Sequence, residues 1–312
     1  MLIHRGERAC SSPPQRAVVT VGVFDGVHVA HQRVIRTAVR LARRLRGTSV
    51  VITFDPDPQY VLARRAASPA LMPIEARLEA LQALGVDRVW VIPFTARFAA
   101  MTAEQFVRQM LLRRLQAVAV VVGEAFAFGR HRQGNMAMLR ALGPPAGLRI
   151  VSVPHVRRAG DAISSSRIRR LISRGHLTQA RQLLGRPPAL YGVVVRGAGR
   201  GRRLGVPTAN VRLIPQVLPP RGVYAVRARV RNGSRLWRGV MNFGVRPTFG
   251  AGPLVCEVHL LEFSGRLLGQ SMTLSLLARL RSERRFATPK ALRRQIDRDL
   301  ARAKNIFQRV PS

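Results

Sequence analysis

The sequence predicts an α/β protein of two domains: an N-terminal domain built on a parallel sheet, and a C-terminal small antiparallel β-barrel that ends in a helix. Two observations lead to this prediction. Between residues 16 and 184 short β-branched runs alternate with longer amphipathic segments, and after residue 187 short strand-like runs follow one another between Gly, Pro and Asn residues. The first pattern is typical of helices packed on a parallel sheet, and the second is typical of a barrel.

The N-terminal strands are predicted from runs that are too apolar to have a side facing solvent, which favours the middle of a parallel sheet. These runs are 17–23, 49–54, 88–92, 117–122 and 149–153. Apolar residues at helical spacing predict helices at 33–45, 73–84, 102–115 and 136–142. Ligands of such sheets bind where the strands end at their carboxyl side.

The domain boundary is predicted from a strong helix stop. Two further helices, at 166–173 and 178–184, precede Gly185-Arg186-Pro187-Pro188, which cannot continue a helix. We therefore expect one domain over 1–186 and a second over 187–312. The strands predicted for the second domain are 190–196, 222–229, 236–242, 255–261 and 271–276, and an amphipathic segment at 289–307 predicts the terminal helix.

Charge is the unusual feature of the composition. Lys and Arg number 53 against 15 Asp and Glu, a formal net charge of +38, and only Lys290 and Lys304 are lysines. Arginine pairs recur along the whole chain, which favours a composition bias over a dedicated nucleic-acid patch, although the field still attracts anions such as nucleotides. A basic nucleic-acid-binding protein on an enzyme scaffold is the alternative. The aromatic content of 5% weighs against it, so we expect no specific nucleic-acid partner.

The cysteines and the apolar segments bear on the compartment. Cys10 and Cys256 lie far apart with no metal-binding spacing, which argues against a disulfide framework and a cysteine zinc site. The first ten residues lack the apolar core of a signal peptide, and no run reaches about 18 apolar residues, the length of a membrane span. We therefore expect a cytoplasmic protein without a membrane partner, and the sequence sets no oligomeric state.

The first predicted strand runs into Gly22-Val23-Phe24-Asp25-Gly26-Val27-His28-Val29-Ala30-His31. Gly22 and Gly26 allow a tight turn, and His28 and His31, three residues apart at a helix start, can face the same side. A phosphate there would meet helix amides and imidazole N–H groups, which can stabilise the charge of phosphoryl or nucleotidyl transfer. Taken alone, the pair fits capping or surface histidines better. Its position after the first strand favours a Rossmann-like nucleotide site.

A second candidate anion site is a helix start with Ser164, Ser165 and Ser166, followed by Arg167 and Arg169 within the first turn. Serines cap a helix whatever else they do. The two arginines oppose the helix dipole unless an anion lies between them, and a triphosphate suits that position.

The second domain carries a glycine-rich stretch, 197–205, followed by Pro207-Thr208-Ala209-Asn210. No amphipathic helix follows the glycines, so a dinucleotide-binding fold is excluded and a flexible flap over phosphates is favoured. We interpret 207–210 as a turn. Thr208 and Asn210 offer a hydroxyl and an amide oxygen two residues apart, which are hard ligands suited to Mg²⁺ carried by ATP, and ordinary turn chemistry is the alternative.

Together these stretches resemble one family, the bacterial bifunctional riboflavin kinase/FMN adenylyltransferases, also called FAD synthetases. In the first domain the resemblance is carried by the histidine turn at 22–31, Thr53-Phe54-Asp55-Pro56-Asp57-Pro58, Gly123-Glu124-Ala125-Phe126-Ala127-Phe128-Gly129 and the serine-rich helix start. In the second it is carried by 207–210, Gly222-Val223-Tyr224-Ala225, the stretch 242–249 and Glu257-Val258-His259-Leu260-Leu261. In order and spacing the match covers nearly the whole chain.

For the first domain the resemblance implies a Rossmann-like nucleotidyltransferase that joins FMN to the adenylyl group of ATP. His28 and His31 would be its catalytic residues. The ATP-binding residues would be Gly22, Phe24, Asp25, Gly26, Ser164, Ser165 and Arg169. The flavin would lie near Phe54, Phe126 and Phe128.

For the second domain the resemblance implies a riboflavin kinase with Mg²⁺ as cofactor and with ATP, riboflavin and FMN as small-molecule partners. Glu257 would be the catalytic base, and Thr208 and Asn210 would be the magnesium ligands. The lid over ATP would use Gly197, Gly199, Gly201 and Gly205.

Four positions depart from the family pattern. Ala30 stands where glycine is usual, Asp57 where histidine is common, and Ala125 where an acidic or amide residue lies beside the flavin, while Ala198 replaces a usual aspartate in the glycine loop. A missing polar partner costs about 1–3 kcal/mol of binding. A riboflavin kinase with weakened or lost adenylyltransferase activity is therefore the alternative within the same family.

Overall fold

The structure is a computed structural model that describes residues 1–6, 13–62, 68–197, 201, 205–230, 233, 235–245 and 254–309. Gly199, Ala198, Cys10 and residues 246–249 of the kinase-like motif lie outside these described residues. The chain divides into two compact units, Met1–Pro69 with Pro73–Ser165, and Ala70–Met72 with Ser166–Ser312. The predicted boundary at 186/187 stays a prediction.

The first unit contains a parallel sheet, as predicted, but with six strands where five were expected. Its strands are β1 (Leu2–Arg5), β2 (Ala17–Val21), β3 (Ser49–Phe54), β4 (Arg88–Ile92), β5 (Ala117–Gly123) and β6 (Arg149–Val153). Their order is β1-β4-β3-β2-β5-β6, and every neighbouring pair is parallel. All residues of β2 and β3 are buried, which explains their unbroken apolar runs. The edge strand β1 was not predicted because its sequence, LIHR, is largely exposed and carries no apolar run.

Helices and short turns surround this sheet. The helices are α1 (Val29–Arg44), α2 (Pro58–Leu62), α3 (Ile74–Ala83), α4 (Ala96–Ala99), α5 (Ala103–Gln105) and α6 (Met136–Leu142). The helix α5 continues as a π-helix over Phe106–Arg114, and single 3₁₀ turns cover Asp25–Val27, Arg130–Arg132 and Pro144–Ala146. A small hairpin joins β7 (Arg157–Arg158) to β8 (Asp161–Ala162).

The strand order creates a switch point beside β2. After β2 the chain proceeds to β3 and β4 on one side of it, and then returns to place β5 and β6 on the other side. The crevice of such a sheet opens at the carboxyl ends of the two strands where the order reverses, here β2 and β5. The histidine turn follows β2 and the segment at 123–129 follows β5, so both predicted ligand-binding segments lie at this crevice.

The second unit contains a closed antiparallel barrel that is preceded and followed in the chain by helices. Its strands are β9 (Ala189–Val195), β10 (Ala209–Leu213), β11 (Gly222–Val230), β12 (Leu236–Gly244), β13 (Val255–Leu260) and β14 (Ser271–Arg281). The barrel closes in the order β10-β13-β12-β11-β14-β9. The helices are α7 (Ser165–Ser173), which starts at the division between the units, α8 (Leu177–Leu184) and α9 (Pro289–Arg309). No helix among the described residues is long and apolar enough to cross a bilayer.

The strand β10 corrects one interpretation of the sequence. We interpreted 207–210 as a turn and expected five barrel strands, but Ala209 and Asn210 begin a sixth strand that pairs with β9 and β13. The error has a physical reason: β10 is only five residues long and follows Pro207, so the alternation of Ala209, Val211 and Leu213 with polar residues is too short to stand out against the turn signal. Its strand character comes from backbone pairing on both sides.

The terminal helix α9 packs on the outside of the barrel. Ala303 and Phe307 contact a small apolar cluster that includes Val223, Ala225 and Leu280. A buried polar network holds the same helix at its middle. The carboxylate of Asp299, 2% exposed, accepts hydrogen bonds from Arg281 Nε at 2.9 and 3.2 Å and from Gln295 Nε2 at 2.8 Å.

Removing one member of a buried ion pair leaves a charge without its partner, which costs roughly 3–5 kcal/mol. We therefore expect Asp299→Ala to weaken the docking of α9 and to speed hydrogen exchange of its amides by about a hundredfold or more. The matched control is Asp297→Ala in the same helix, which removes an exposed pair with Arg293 at 3.3 Å. Such exposed pairs contribute about 0–1 kcal/mol. Equal exchange rates in the two variants would contradict the importance of the buried network.

Candidate active sites

The histidine turn has the tight geometry that its glycines allow. Asp25–Val27 form a 3₁₀ turn entered through Phe24, whose φ of 53° is left-handed, and Gly26 has a φ of 78° that favours glycine. A side chain on Gly22 would lie 3.0 Å from the ring of Phe24. The turn therefore needs glycine at 26 for its backbone angles and at 22 for the space that the Phe24 ring occupies.

His28 and His31 lie on the same side of the turn, as predicted. Their rings stack with centroids 3.5 Å apart, and the edge of Phe24 meets His31 at 5.2 Å. His28 also caps α1, because its Nδ1 accepts a hydrogen bond from the backbone N–H of His31 at 3.3 Å. His28 therefore both caps α1 and stacks on His31. His28 is only 3% exposed, so the pair is part of the packed base of the crevice.

Burial sets the protonation state of His31. Its pKa lies well below 6.5, first because the ring is desolvated and then because the charges of His28 and Arg77 disfavour a further cation. Its Nδ1 is buried without a hydrogen-bond partner among the described residues. His31 is therefore a neutral imidazole at pH 7, with one N–H that it can donate and one nitrogen that can accept.

The serine-rich helix start contacts the histidine turn directly. Ser165 Oγ donates a hydrogen bond to the backbone oxygen of Asp25 at 3.0 Å, and the Asp25 side chain is buried. This bond brings together two predicted ATP-binding segments that are 140 residues apart. Ser164 is exposed next to it, and Arg169 lies one helical turn after Ser165 on the same face of α7.

Arg77 was missed by the sequence analysis. The residue is 4% exposed, and its Nη1 donates to Thr53 Oγ1 at 3.1 Å and to the backbone oxygen of Phe54 at 3.0 Å. The Thr53 hydroxyl in turn donates to the backbone oxygen of Val23 at 3.0 Å. A signal was present: Arg77 stands next to Leu78 and four residues before Leu81, on the face of the predicted helix that should be apolar.

The predicted flavin residues belong to one aromatic cluster. Phe126 and Phe128 stack at 5.2 Å, and Phe128 meets Phe106 at 5.6 Å. Phe54 reaches the same cluster through Phe98 at 5.6 Å. Phe54 and Phe128 are buried in the core of the unit, whereas Phe126 is partly exposed. The structure therefore brings these three side chains together and leaves Phe126 as the one open to a ligand.

Two cavities lie away from the predicted residues. One of about 330 Å³ shares Phe98 with the aromatic cluster and is otherwise lined by residues of β4 and of the segment 97–114. The other, of about 470 Å³, lies between the start of β12, including Trp237, and the end of α9. Neither contains a residue that the sequence analysis selected.

The barrel aligns three polar side chains in a row. Asn210 of β10 stands directly opposite Glu257 of β13, and Glu257 stands directly opposite Asn242 of β12. Opposed residues of antiparallel strands project from the same face at Cβ distances of about 4.5–5.5 Å. The neighbours of Glu257 in its strand, Cys256 and Val258, belong to the barrel core, so the row faces outward.

The glycine stretch meets this row at its first residues. A side chain on Gly197 would collide with the carboxamide of Asn210, and one on Gly201 would lie 2.8 Å from Thr208 Oγ1. Gly205 has a left-handed φ of 68°. Gly197 and Gly201 therefore lie against the predicted magnesium ligands, whereas Gly205 lies near Arg293. Gly199 lies outside the described residues.

His259 belongs to a motif that carries the family resemblance, but the sequence analysis gave it no role of its own. Its Nδ1 lies 2.7 Å from the backbone oxygen of Pro207, which precedes Thr208. This contact holds the backbone at Pro207, directly before the magnesium-ligand candidate Thr208. Cys256, by contrast, is inert: burial in the barrel raises the pKa of its thiol to about 12, so no thiolate forms at neutral pH.

The oxygen donors of the barrel fit a cation that is shared with a ligand. Among the described residues no group of three or more His, Cys, Asp or Glu could hold a metal. Thr208 and Asn210 supply hard oxygen donors, and Mg²⁺ is commonly bound by a few protein oxygens together with substrate phosphates and water. The donor set therefore suits Mg²⁺ that arrives with a nucleotide.

Comparisons with known proteins match both units. A family model described as FAD synthetase matches residues 10–167, and one described as riboflavin kinase matches residues 184–307. A bifunctional riboflavin kinase/FMN adenylyltransferase of Escherichia coli (strain K12) is 36% identical over 308 residues, 98% of each chain. A protein of the same description from Bacillus subtilis (strain 168) is 36% identical over 302 residues, 95% of this chain and 94% of its own.

A solved structure shows the same fold. It comes from Streptococcus pneumoniae, has a TM-score of 0.86 and 28% identity, and covers 98% of this chain and 99% of its own. That protein is described as a macrolide-efflux protein. Because the similarity covers nearly the whole chain, it includes both the parallel sheet and the barrel.

The low pKa of His31 predicts an acid-dependent stability of the first unit. The unfolded chain binds a proton at His31 below about pH 6.5, whereas the native ring stays neutral, so the free energy of unfolding falls as the pH drops below 6.5. Between pH 7.5 and 5.5 the protein should lose more free energy of unfolding than the His31→Gln variant, with an upper limit of about 1.4 kcal/mol. Urea unfolding followed by Trp90 fluorescence, with Trp237→Phe in both proteins, measures the difference. Parallel pH dependence of the two would contradict a neutral buried His31.

Proposed function

This chain belongs to the family of bifunctional riboflavin kinase/FMN adenylyltransferases, and we propose which of its residues carry the two reactions. The protein phosphorylates riboflavin to FMN with ATP and then adenylylates FMN to FAD with a second ATP. The row of Asn210, Glu257 and Asn242 is the observation that supports the kinase assignment best. We place the kinase reaction at this row and the adenylyl transfer at the histidine turn.

In the kinase step Glu257 acts as the base. Its carboxylate takes the proton of the ribityl 5′-hydroxyl while that oxygen bonds to the γ-phosphorus of ATP and the bond to the β-phosphate oxygen breaks, leaving ADP. The outward row supports this role, because it presents the carboxylate beside two amides on a surface that a substrate can reach. Phosphoryl transfer needs positioning and charge neutralisation more than covalent chemistry.

We place Mg²⁺ beside Glu257, at the side chains of Thr208 and Asn210. Thr208 and Asn210 would hold Mg²⁺ through their side-chain oxygens together with the ATP phosphates, and the ion would neutralise charge on those phosphates. Gly197 and Gly201 lie against these two side chains, which supports a glycine stretch that covers the phosphates from the same side. The close approach requires residues without a Cβ there.

In the adenylyl transfer the histidine turn receives the triphosphate. A phosphate oxygen of FMN bonds to the α-phosphorus of ATP, and the bond to the β-phosphate oxygen breaks to release pyrophosphate. His28, the neutral His31 and the start of α1 supply N–H donors for the charge on the phosphates. The bond from Ser165 to Asp25 supports a phosphate site in the first unit, with Ser164 as a further ligand. The role of Arg169 as an ATP ligand is what the family resemblance implies.

The flavin of this second reaction lies against Phe126, with Phe54 and Phe128 supporting the aromatic surface behind it. Ala125, exposed in the turn after β5, stands beside that surface and offers no polar atom to the ring. The enzyme needs no nucleic-acid partner for either reaction. Its location stays the sequence-based expectation of a cytoplasmic enzyme.

Glu257→Gln tests the kinase assignment. Loss of a general base lowers the rate by about 10²–10⁴-fold, so FMN formation from riboflavin should fall by that factor while FAD formation from added FMN is unchanged. The measurement is chromatographic separation of FMN and FAD after incubation with ATP and Mg²⁺. The control is Glu262→Gln, an exposed carboxylate shortly after β13, which should leave both rates unchanged. Undiminished kinase activity in Glu257→Gln would refute the role of Glu257.

Ala125→Asn tests the flavin position. A restored hydrogen bond to the flavin is worth about 1–3 kcal/mol, so the KM for FMN in FAD formation should fall roughly tenfold. The KM for riboflavin in the kinase reaction of the same protein is the internal control and should not change. An unaltered KM for FMN would place the flavin away from this turn.

A further inference from the structure

Arg77 is a buried cation beneath the histidine turn. It extends from α3 to the carboxyl end of β3, where it is 4% exposed, and the Nε of its guanidinium has no partner in the part of the chain that the structure describes. Taking a guanidinium out of water is costly. Packing alone does not require this cost, because a methionine would fill similar space without a charge.

A chain of hydrogen bonds leads from Arg77 to the histidine turn. The two hydrogens of Nη1 go to Thr53 Oγ1 at 3.1 Å and to the Phe54 backbone oxygen at 3.0 Å. The Thr53 hydroxyl, itself fully buried, passes its hydrogen to the backbone oxygen of Val23 at 3.0 Å. Val23 directly precedes Phe24, which opens the turn that carries His28. One guanidinium thus fixes the backbone at the ends of both β2 and β3.

The guanidinium of Arg77 also interacts with the charges of several nearby side chains. Burial lowers the pKa of Arg77, and the carboxylates of Asp25, Asp57 and Asp55 act against this shift. Its charge in turn helps to lower the pKa of His31. Arg77 therefore interacts electrostatically with side chains that follow β2 and side chains that follow β3. A neutral residue could make no such link.

We propose that Arg77 is a positioning residue for adenylyl transfer: its guanidinium, through Thr53 and the Phe54 backbone, holds the histidine turn and the flavin-side end of β3 in their reactive arrangement. This inference rests on the proposed adenylyl-transfer site. Arg77 acts through Thr53, Phe54 and Val23, without touching ATP or FMN. Misplacement of reacting groups by about 1 Å can cost about 10²-fold in rate, even when the residue responsible lies outside the reaction itself.

The test uses the full-length enzyme and four variants: Arg77→Gln, Arg77→Lys, Thr53→Val and the double change of Arg77→Gln with Thr53→Val. We expect Arg77→Gln to lower the kcat of FAD formation from FMN about 10²-fold, with less than about threefold change in the KM values for ATP and FMN. Arg77→Lys keeps the charge and a donor, so it should recover part of the lost kcat. The exposed Arg44, in the last turn of α1, provides the matched control Arg44→Gln.

Thr53→Val removes the hydroxyl at nearly constant volume and breaks the same chain one step later. If the chain positions the turn, this variant also loses kcat, and the double variant loses little more than Arg77→Gln alone, because the two residues act as a unit. Additive losses would contradict the chain. The kinase rate of every variant, measured in the same samples, should stay within about twofold of the parent, since that reaction uses the barrel.

Each outcome has a distinct meaning. If the parent enzyme makes no FAD from FMN, the proposed adenylyl-transfer site fails. If the parent makes FAD and Arg77→Gln and Thr53→Val keep its kcat, the inference about Arg77 is overturned. If Arg77→Gln does not fold, as judged by Trp90 fluorescence, Thr53→Val and Arg77→Lys decide. A fall in thermal stability with unchanged kcat in those two variants would reduce Arg77 to a structural residue.

Discussion

Backbone pairing between strands is the constraint on which both candidate sites depend. In the first unit parallel pairing on both sides of β2 brings the ends of β2, β3 and β5 to one edge of the sheet, and the histidine turn follows from β2. In the second unit antiparallel register sets Asn210 opposite Glu257. A slip of one residue would turn these side chains to the opposite face of the barrel, so chemistry here is a consequence of register.

In both units a buried or half-buried arginine donates hydrogen bonds to nearby oxygen atoms. The chain carries a net charge of +38, yet the cations that leave water do so beside acceptors: Arg77 donates to Thr53 and Phe54, and Arg281 donates to Asp299. Such groups are costly to bury and specify a particular arrangement of the elements that they join. The excess of arginine over acidic residues gives the protein a positive field that attracts anions such as phosphates.

In the proposed assignment the two reactions share ATP as a substrate and differ in which protein groups meet the charge of its phosphates. At the histidine turn the chain supplies N–H donors from imidazole and from a helix start, with a neutral His31 among them. At the barrel the chain supplies oxygen donors that suit a cation, together with a carboxylate that can take a proton. Donors serve a transfer at the α-phosphorus, and oxygen ligands with a base serve a transfer to a hydroxyl.

The sequence by itself determined the features that are local and periodic: five of the parallel strands, five of the barrel strands, the terminal helix, the histidine turn and the glycine stretch. Only the tertiary structure decided the rest. The strand β1 exists because β4 pairs with it, since LIHR has no apolar pattern of its own. For β10 the alternation in ANVRL was a strand signal, but only pairing with β9 and β13 decided between a strand and a turn. The positions of Arg77 and Asn242 beside the sites likewise follow from packing and register between distant segments, which no local pattern encodes.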